Sequence, residues 1–117
     1  MTTVLFVYGS LKRGHRNHRL LADQQFLGEA VTEPCYRLVD LGTYPGMIED
    51  TRGLSVTGEL WAVGECALAE LDDLECADAP YYRGPVAVAG GTEPAEAYFF
   101  RGDVPAGVRT GATWPFA

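Results

Sequence analysis

A chain of 117 residues has the size of one domain with one core. Hydrophobic residues at 47% and charged residues at 21% exclude a disordered chain. A net charge of −7, with 16 acidic residues against 9 basic ones, argues against a protein that grips a nucleic-acid backbone, which needs a basic face.

The apolar run Val4-Leu5-Phe6-Val7, with two β-branched residues, predicts a buried first strand. It runs through Tyr8 into Gly9, Ser10 and Leu11, then Lys12, Arg13 and Gly14. A central strand that ends in a glycine turn leaves backbone N–H groups without ladder partners, and such groups form a small anion or oxyanion pocket. Gly9 and Gly14 are equally readable as ordinary turn glycines. The Gly9 to Gly14 spacing fits a phosphate loop, but His15 and Arg16 stand where that loop needs Lys and Ser or Thr, so it is rejected. Lys12, Arg13, Arg16 and Arg19, beside His15 and His18, form a local basic patch that could steer an anionic small molecule or be a solvated face.

Gly14 to Asp23 reads as a short helix, with Asn17 either capping it or tying down the glycine loop. Gln25 to Glu33 and Cys35 to Val39 read as strands separated by Pro34, and Leu41 to Ile48 as a turn built on Pro45 and Gly46. Leu54 to Val63 is the clearest strand, its alternation placing Leu54, Val56, Gly58, Leu60 and Ala62 on one face. Gly58 within it marks a bulge, a bend or a close approach. Glu65 to Glu75 is the strongest helix, with Ala67, Leu68, Leu71 and Leu74 at helical spacing. Acidic residues at its C-terminus oppose the macrodipole, a broken local rule of the kind that marks functional sites. Asp72 and Asp73 are expected to be merely solvated. After a loop from Cys76 to Pro80, Tyr81 to Val88 and Ala95 to Phe100 read as strands around a turn at Gly90 to Pro94. From Gly102 the chain is expected to be irregular, with Trp114 and Phe116 able to dock it.

Six or seven short strands and two helices, too close for a βαβ series, predict an α+β domain. The expected core is a small mixed β-barrel or strongly curved sheet with flanking helices. Cys35, Cys66 and Cys76, an odd set without C-x-x-C spacing, disfavour a disulfide framework or zinc site and fit a cytoplasmic protein. Neither a signal peptide nor a membrane span is expected. His15 and His18 do not make a metal set, and Ser10 lacks a nucleophile-elbow context. What remains is a glycine-turn pocket, a carboxylate at the end of the second helix, and a Tyr-Tyr-Arg strand.

Those residues carry a resemblance. Tyr8-Gly9-Ser10-Leu11-Lys12-Arg13-Gly14 with Asn17-His18, Tyr44-Pro45-Gly46, Gly58-Glu59-Leu60-Trp61, Leu71-Asp72-Asp73-Leu74-Glu75 and Tyr81-Tyr82-Arg83 follow one another as in the γ-glutamylcyclotransferase-like family. The likeness is greatest to its γ-glutamylamine cyclotransferase and AIG2-like branch. The resemblance implies a mixed barrel flanked by helices, with neither metal nor cofactor. It implies that Tyr8, Gly9, Ser10 and Leu11 grip a γ-glutamyl group largely through backbone groups, that Glu75 is the catalytic acid/base, and that Tyr81 belongs to the substrate site. Arg83 matches a structural position, and Tyr98 is given no role. Cys76 replaces a glycine common in the family. The implied reaction releases 5-oxoproline and an amine from a γ-glutamyl amine or γ-glutamyl-capped small molecule. A non-catalytic small-molecule-binding or regulatory module on the same scaffold is the alternative; a closed pocket or a salt-bridged Glu75 would favour it.

Overall fold

The computed structural model describes residues 2–15, 17–42, 44–76 and 80–116. Among the described residues eight strands and one α-helix make an α+β domain: β1 Thr2–Val7, β2 Gln25–Val31, β3 Tyr36–Asp40, β4 Pro45–Glu49, β5 Thr57–Gly64, α1 Glu65–Cys76, β6 Tyr81–Val86, β7 Ala95–Phe100 and β8 Thr110–Gly111. They form a mixed five-stranded sheet in the order β2-β5-β1-β7-β6 and a three-stranded sheet in the order β4-β3-β8.

β1 is the central strand, antiparallel to β5 and parallel to β7. Its near-continuous apolar run has a physical reason: both faces of the sheet are covered. Leu5 and Val7 pack with Leu21, Trp61, Val63, Leu71 and Tyr81 on one face. Phe6 and Tyr8 face the other way, onto Leu38 and Met47 of the second sheet. Trp61 and Val63 of β5 are buried for the same reason, so β5 does not divide into one buried and one exposed face.

The core is not the closed barrel that the sequence and the resemblance led one to expect. The five-stranded sheet curves, but its ladder does not close. An isolated bridge between Thr32 and Val88, just past the ends of β2 and β6, joins the two edges. Glu33 N–H donates to Ala87 O at 2.9 Å and Ala89 N–H to Val31 O at 2.9 Å.

Three elements differ from the sequence reading. Of the turn expected over 41–48, Pro45 onward is strand β4, paired to β3 from Asp40↔Pro45 to Tyr36↔Glu49, and just before it Leu41 N–H donates to Tyr44 O at 3.1 Å. Proline is compatible with the first position of a strand, and Met47, fully buried, explains why the strand continues. A Cβ on Gly46 would lie 2.6 Å from Phe100 Cβ, so β4 crosses β7 too closely for any larger residue. The helix expected over 14–23 is reduced to a 3₁₀ turn at His18–Leu21. The long strand begins at Thr57, and Leu54 only bridges to Tyr36. At Gly58 the close-approach reading holds: an added Cβ would sit 2.4 Å from Val7 O. The bulge lies instead in β2, between Phe26 and Gly28.

The tail is irregular apart from β8, which pairs with β3 through Leu38↔Gly111 and Val39↔Thr110. Trp114 and Phe116 pack against the core, as expected. Arg16, Thr43 and residues 77–79 of the expected loop lie outside the described residues.

Candidate active site

The site forms where the end of β1, the end of α1 and the starts of β4 and β6 converge. Its cavity of about 280 Å³ is walled by Tyr8, Gly9, Ser10 and Leu11 after β1, by Glu75 in the last turn of α1, and by Tyr81 at the start of β6. All six residues singled out in the sequence therefore lie on one wall system. Tyr98, Asn17, Tyr44, Pro45 and Leu74 also line it.

The loop after β1 is held from several sides. Asn17 Nδ2 donates to Ser10 Oγ at 2.9 Å, and Asn17 N–H to Ser10 O at 3.0 Å. Asn17 thus ties the loop and gives the 3₁₀ turn no side-chain cap. Arg13 N–H and Arg13 Nε donate to the buried Glu59 carboxylate at 3.0 and 3.2 Å, and the Trp61 indole donates to it at 3.2 Å. Burial pushes Glu59 up, but these donors outweigh it and leave its carboxyl below the usual range. Lys12 Nζ donates to Trp114 O at 2.5 Å, which fixes the loop to the tail. Lys12 and Arg13 are therefore used for anchoring and do not line the cavity. The N–H groups of Gly9, Ser10 and Leu11 find no acceptor among the described residues, whereas Gly9 O closes the turn by accepting from Lys12 N–H at 3.1 Å. A tethered turn with free N–H groups is a preorganised anion or oxyanion site.

Tyr8 is committed to the frame. Its hydroxyl donates to Tyr98 O at 2.6 Å and accepts from Met47 N–H at 3.2 Å. Burial raises its phenol well above the ordinary value, so it stays protonated. Tyr8→Phe leaves the Met47 N–H without its acceptor. We expect it to cost roughly 1–3 kcal/mol, read as a lower urea midpoint with an unchanged slope. Tyr81 donates to Pro45 O at 2.7 Å and is likewise raised by burial.

Glu75 is different in kind. Its carboxyl has neither hydrogen bond nor ion pair to another described residue, and burial raises it above the ordinary carboxylate range. Three residues earlier on α1, Asp72 has the opposite environment. Arg83 Nε donates to Asp72 Oδ1 at 2.9 Å and Arg83 Nη2 to Oδ2 at 3.0 Å, while Tyr98 OH donates to Oδ1 at 2.7 Å. The Arg83 bonds hold the Asp72 carboxyl below its ordinary value. Asp72 is thus not the solvated residue expected from the sequence; Asp73 is exposed. Arg83 has the structural place expected of it and also pairs with Glu96 at 2.5 Å. The Tyr98 ring reaches the cavity, which the sequence left open. The available signal was the acidic end of α1 combined with an arginine on the following strand.

Among the described residues no group of three or more His, Cys, Asp or Glu side chains is arranged to hold a metal ion. No helix among them is long and apolar enough to cross a membrane.

Residues 5–115 match the family described as gamma-glutamyl cyclotransferase, AIG2-like. A Vibrio cholerae protein with a provisional gamma-glutamylcyclotransferase name is 44% identical over 92 residues, covering 79% of this chain and 78% of that protein. The rat gamma-glutamylaminecyclotransferase is 37% identical over 87 residues, covering 68% of this chain and 58% of its own length. The crystal structure of a mouse AIG2-like protein superposes with a TM-score of 0.79 at 26% identity, over 97% of this chain and 88% of that one. The chain belongs to the gamma-glutamyl cyclotransferase, AIG2-like family. It is an enzyme of the cyclising γ-glutamylcyclotransferase type.

Proposed function

We propose that the chain releases 5-oxoproline and a free amine from a γ-glutamyl amine or γ-glutamyl-capped small molecule, with Glu75 as general acid/base. The observation that carries this reading is Glu75 itself: a carboxyl on the cavity wall, raised by burial and unpaired among the described residues. A raised carboxyl is a better base than an ordinary one, and it can return the proton it takes.

The substrate's α-amine is mostly ammonium at neutral pH, since such amines titrate near 8. Glu75 takes a proton from it. The freed nitrogen attacks the γ-carbonyl carbon, forming the new ring C–N bond, and the oxyanion is met by N–H groups of the Gly9–Leu11 turn. Collapse breaks the amide C–N bond: Glu75 gives the first proton to the departing nitrogen and then relays to it the second proton, which the attacking nitrogen sheds as it becomes the lactam N–H. No water is consumed, and the positive charge of the substrate's ammonium leaves on the released amine as an ammonium ion. Both reacting groups belong to one molecule, so holding it folded supplies much of the rate. Tyr8 and Tyr81 shape the pocket, their hydroxyls already donating to Tyr98 O and Pro45 O.

The alternative, a module that binds without turnover, would be favoured by a closed pocket or a salt-bridged Glu75. The cavity is instead open enough for a small ligand, and Glu75 forms no ion pair with a described residue. The test is mass-spectrometric detection of 5-oxoproline from a panel of γ-glutamyl amines and dipeptides. Ser10→Ala is expected to retain activity within about tenfold, because the grip is by backbone; a loss matching that of Glu75→Gln would move the Ser10 hydroxyl into the chemistry.

A further inference from the structure

The last residues of the chain reach the loop after β1 from behind. Ala112 O accepts from Thr57 N–H at 2.8 Å, and β8 just before it pairs with β3. Trp114 and Phe116 pack on the core, and a Cβ added to Gly111 would lie 3.1 Å from the Phe116 ring. The tail is thus held by the second sheet and by β5, independently of the loop. It meets the loop twice. Trp114 O accepts from Lys12 Nζ at 2.5 Å, and the Trp114 ring lies against the His15 ring with centroids 5.3 Å apart.

Lys12 is a costly residue for such a contact. Its ammonium is partly buried, and burial pulls its pKa below the ordinary lysine value. It does not line the cavity, so its charge does not meet the substrate. The Lys12 main chain, by contrast, belongs to the turn itself: its N–H closes onto Gly9 O and its carbonyl accepts from His15 N–H, both at 3.1 Å. Fixing the Lys12 and His15 side chains therefore fixes the far side of the Gly9–Leu11 turn.

Resting on the cyclotransferase reading, we infer that Trp114 is a positioning residue for the reaction: through Lys12 and His15 the tail holds the N–H groups of Gly9–Leu11 where the oxyanion forms. Such donors act by being in place before charge develops, and they contribute least to the bound ground state. A turn released on one side keeps its donors but must order them in every turnover. The rate of the chemical step then falls while substrate affinity changes little.

The experiment follows 5-oxoproline release from γ-glutamyl-methylamide in the parent, Lys12→Met, Lys12→Arg and Trp114→Ala, beside amide hydrogen exchange read residue by residue by NMR. Two variants reach the contact by different chemistry: Lys12→Met removes the donor, and Trp114→Ala removes the ring without changing charge. Both are expected to lose about tenfold in kcat, with KM within about twofold of the parent's. Lys12→Arg, which keeps a donor for Trp114 O, is expected to restore most of the rate. The amides of residues 12 and 17, which bond to Gly9 O and Ser10 O, should exchange faster in the two impaired variants, while those of β1 and β5 keep their protection. Should Trp114→Ala not fold, Lys12→Met decides. Parental kcat in folded Lys12→Met or Trp114→Ala, or a loss of protection spread evenly over β1 and β5, overturns the positioning role and leaves the cyclotransferase reading standing. No 5-oxoproline from the folded parent, with this substrate or any other γ-glutamyl amine or dipeptide, overturns the cyclotransferase reading and the positioning role with it.

Discussion

Glu75→Gln is expected to remain folded and to lose turnover by roughly 10²–10⁴-fold, the usual contribution of a positioned general acid/base. The substitution is nearly isosteric. It removes the group that takes the ammonium proton and returns it to the departing amine, and leaves the Gly9–Leu11 turn unaltered. A second readout separates loss of chemistry from loss of structure. Burial raises the Glu75 carboxyl in the folded chain, so the folded protein holds that proton at pH values where the unfolded chain has released it. Stability therefore falls as pH rises from the unfolded value, about 4.3, through the raised folded one, and the deficit is complete above it. Gln has no such deficit. The variant should melt higher than the parent at neutral pH and alike at pH values where both carboxyls are protonated. The parent's kcat/KM should rise with pH along a limb displaced above the ordinary carboxylate range. A Glu75→Gln protein with parental turnover would remove Glu75 from the chemistry. Equal melting at neutral pH would show that the carboxyl is not strained by burial.

The parts of this fold legible in the sequence were those written in local periodicity. β1 announces itself by its unbroken apolar run, β7 by its aromatic-rich run, and α1 by the helical spacing of Ala67, Leu68, Leu71 and Leu74. β4 did not, because Pro45 and Gly46 are turn residues by local preference; the strand exists through its ladder with β3 and the burial of Met47. The helix expected from Gly14 shrank for a related reason. Asn17 N–H and side chain both turn back to Ser10, which folds the segment onto the β1 loop instead of along a helix axis. In the site, Glu75 and the glycine loop stood out by spacing and resemblance. Asp72 did not, since nothing local distinguishes a solvated aspartate from one that receives a guanidinium from a strand eleven positions on. Leu74 keeps the helical spacing of α1 yet is exposed, because that spacing does not say where a helix face leaves the core.

Asp72→Ala is expected to cost roughly 2–4 kcal/mol, the largest loss of stability among the substitutions considered. The carboxylate accepts two bonds from Arg83 and one from Tyr98. Charge-assisted bonds of this fork geometry are about twice as strong as neutral ones. Side chains of Asp72 and Arg83 are 32% and 28% exposed, so solvent screens the pair in part and keeps the figure below that of a fully buried one. The loss reaches beyond the pair, because Arg83 also holds Glu96 of β7 and the Tyr98 ring lines the cavity. α1, β6 and β7 are thus joined through one carboxylate, and removing it frees both the end of the helix that carries Glu75 and a wall of the site. The pH dependence has the opposite sign to that of Glu75. With the folded carboxyl held low by Arg83, the pair stabilises the chain above the unfolded value, about 3.9. That contribution is lost as pH falls through the lower folded value. The gap in melting temperature between the parent and Asp72→Ala should therefore be widest near neutral pH and narrow as pH falls through the lowered folded value. Arg83→Ala should cost a similar amount, and the double variant less than the sum of the two. Strict additivity would mean that the two side chains, though within hydrogen-bond distance, do not stabilise one another.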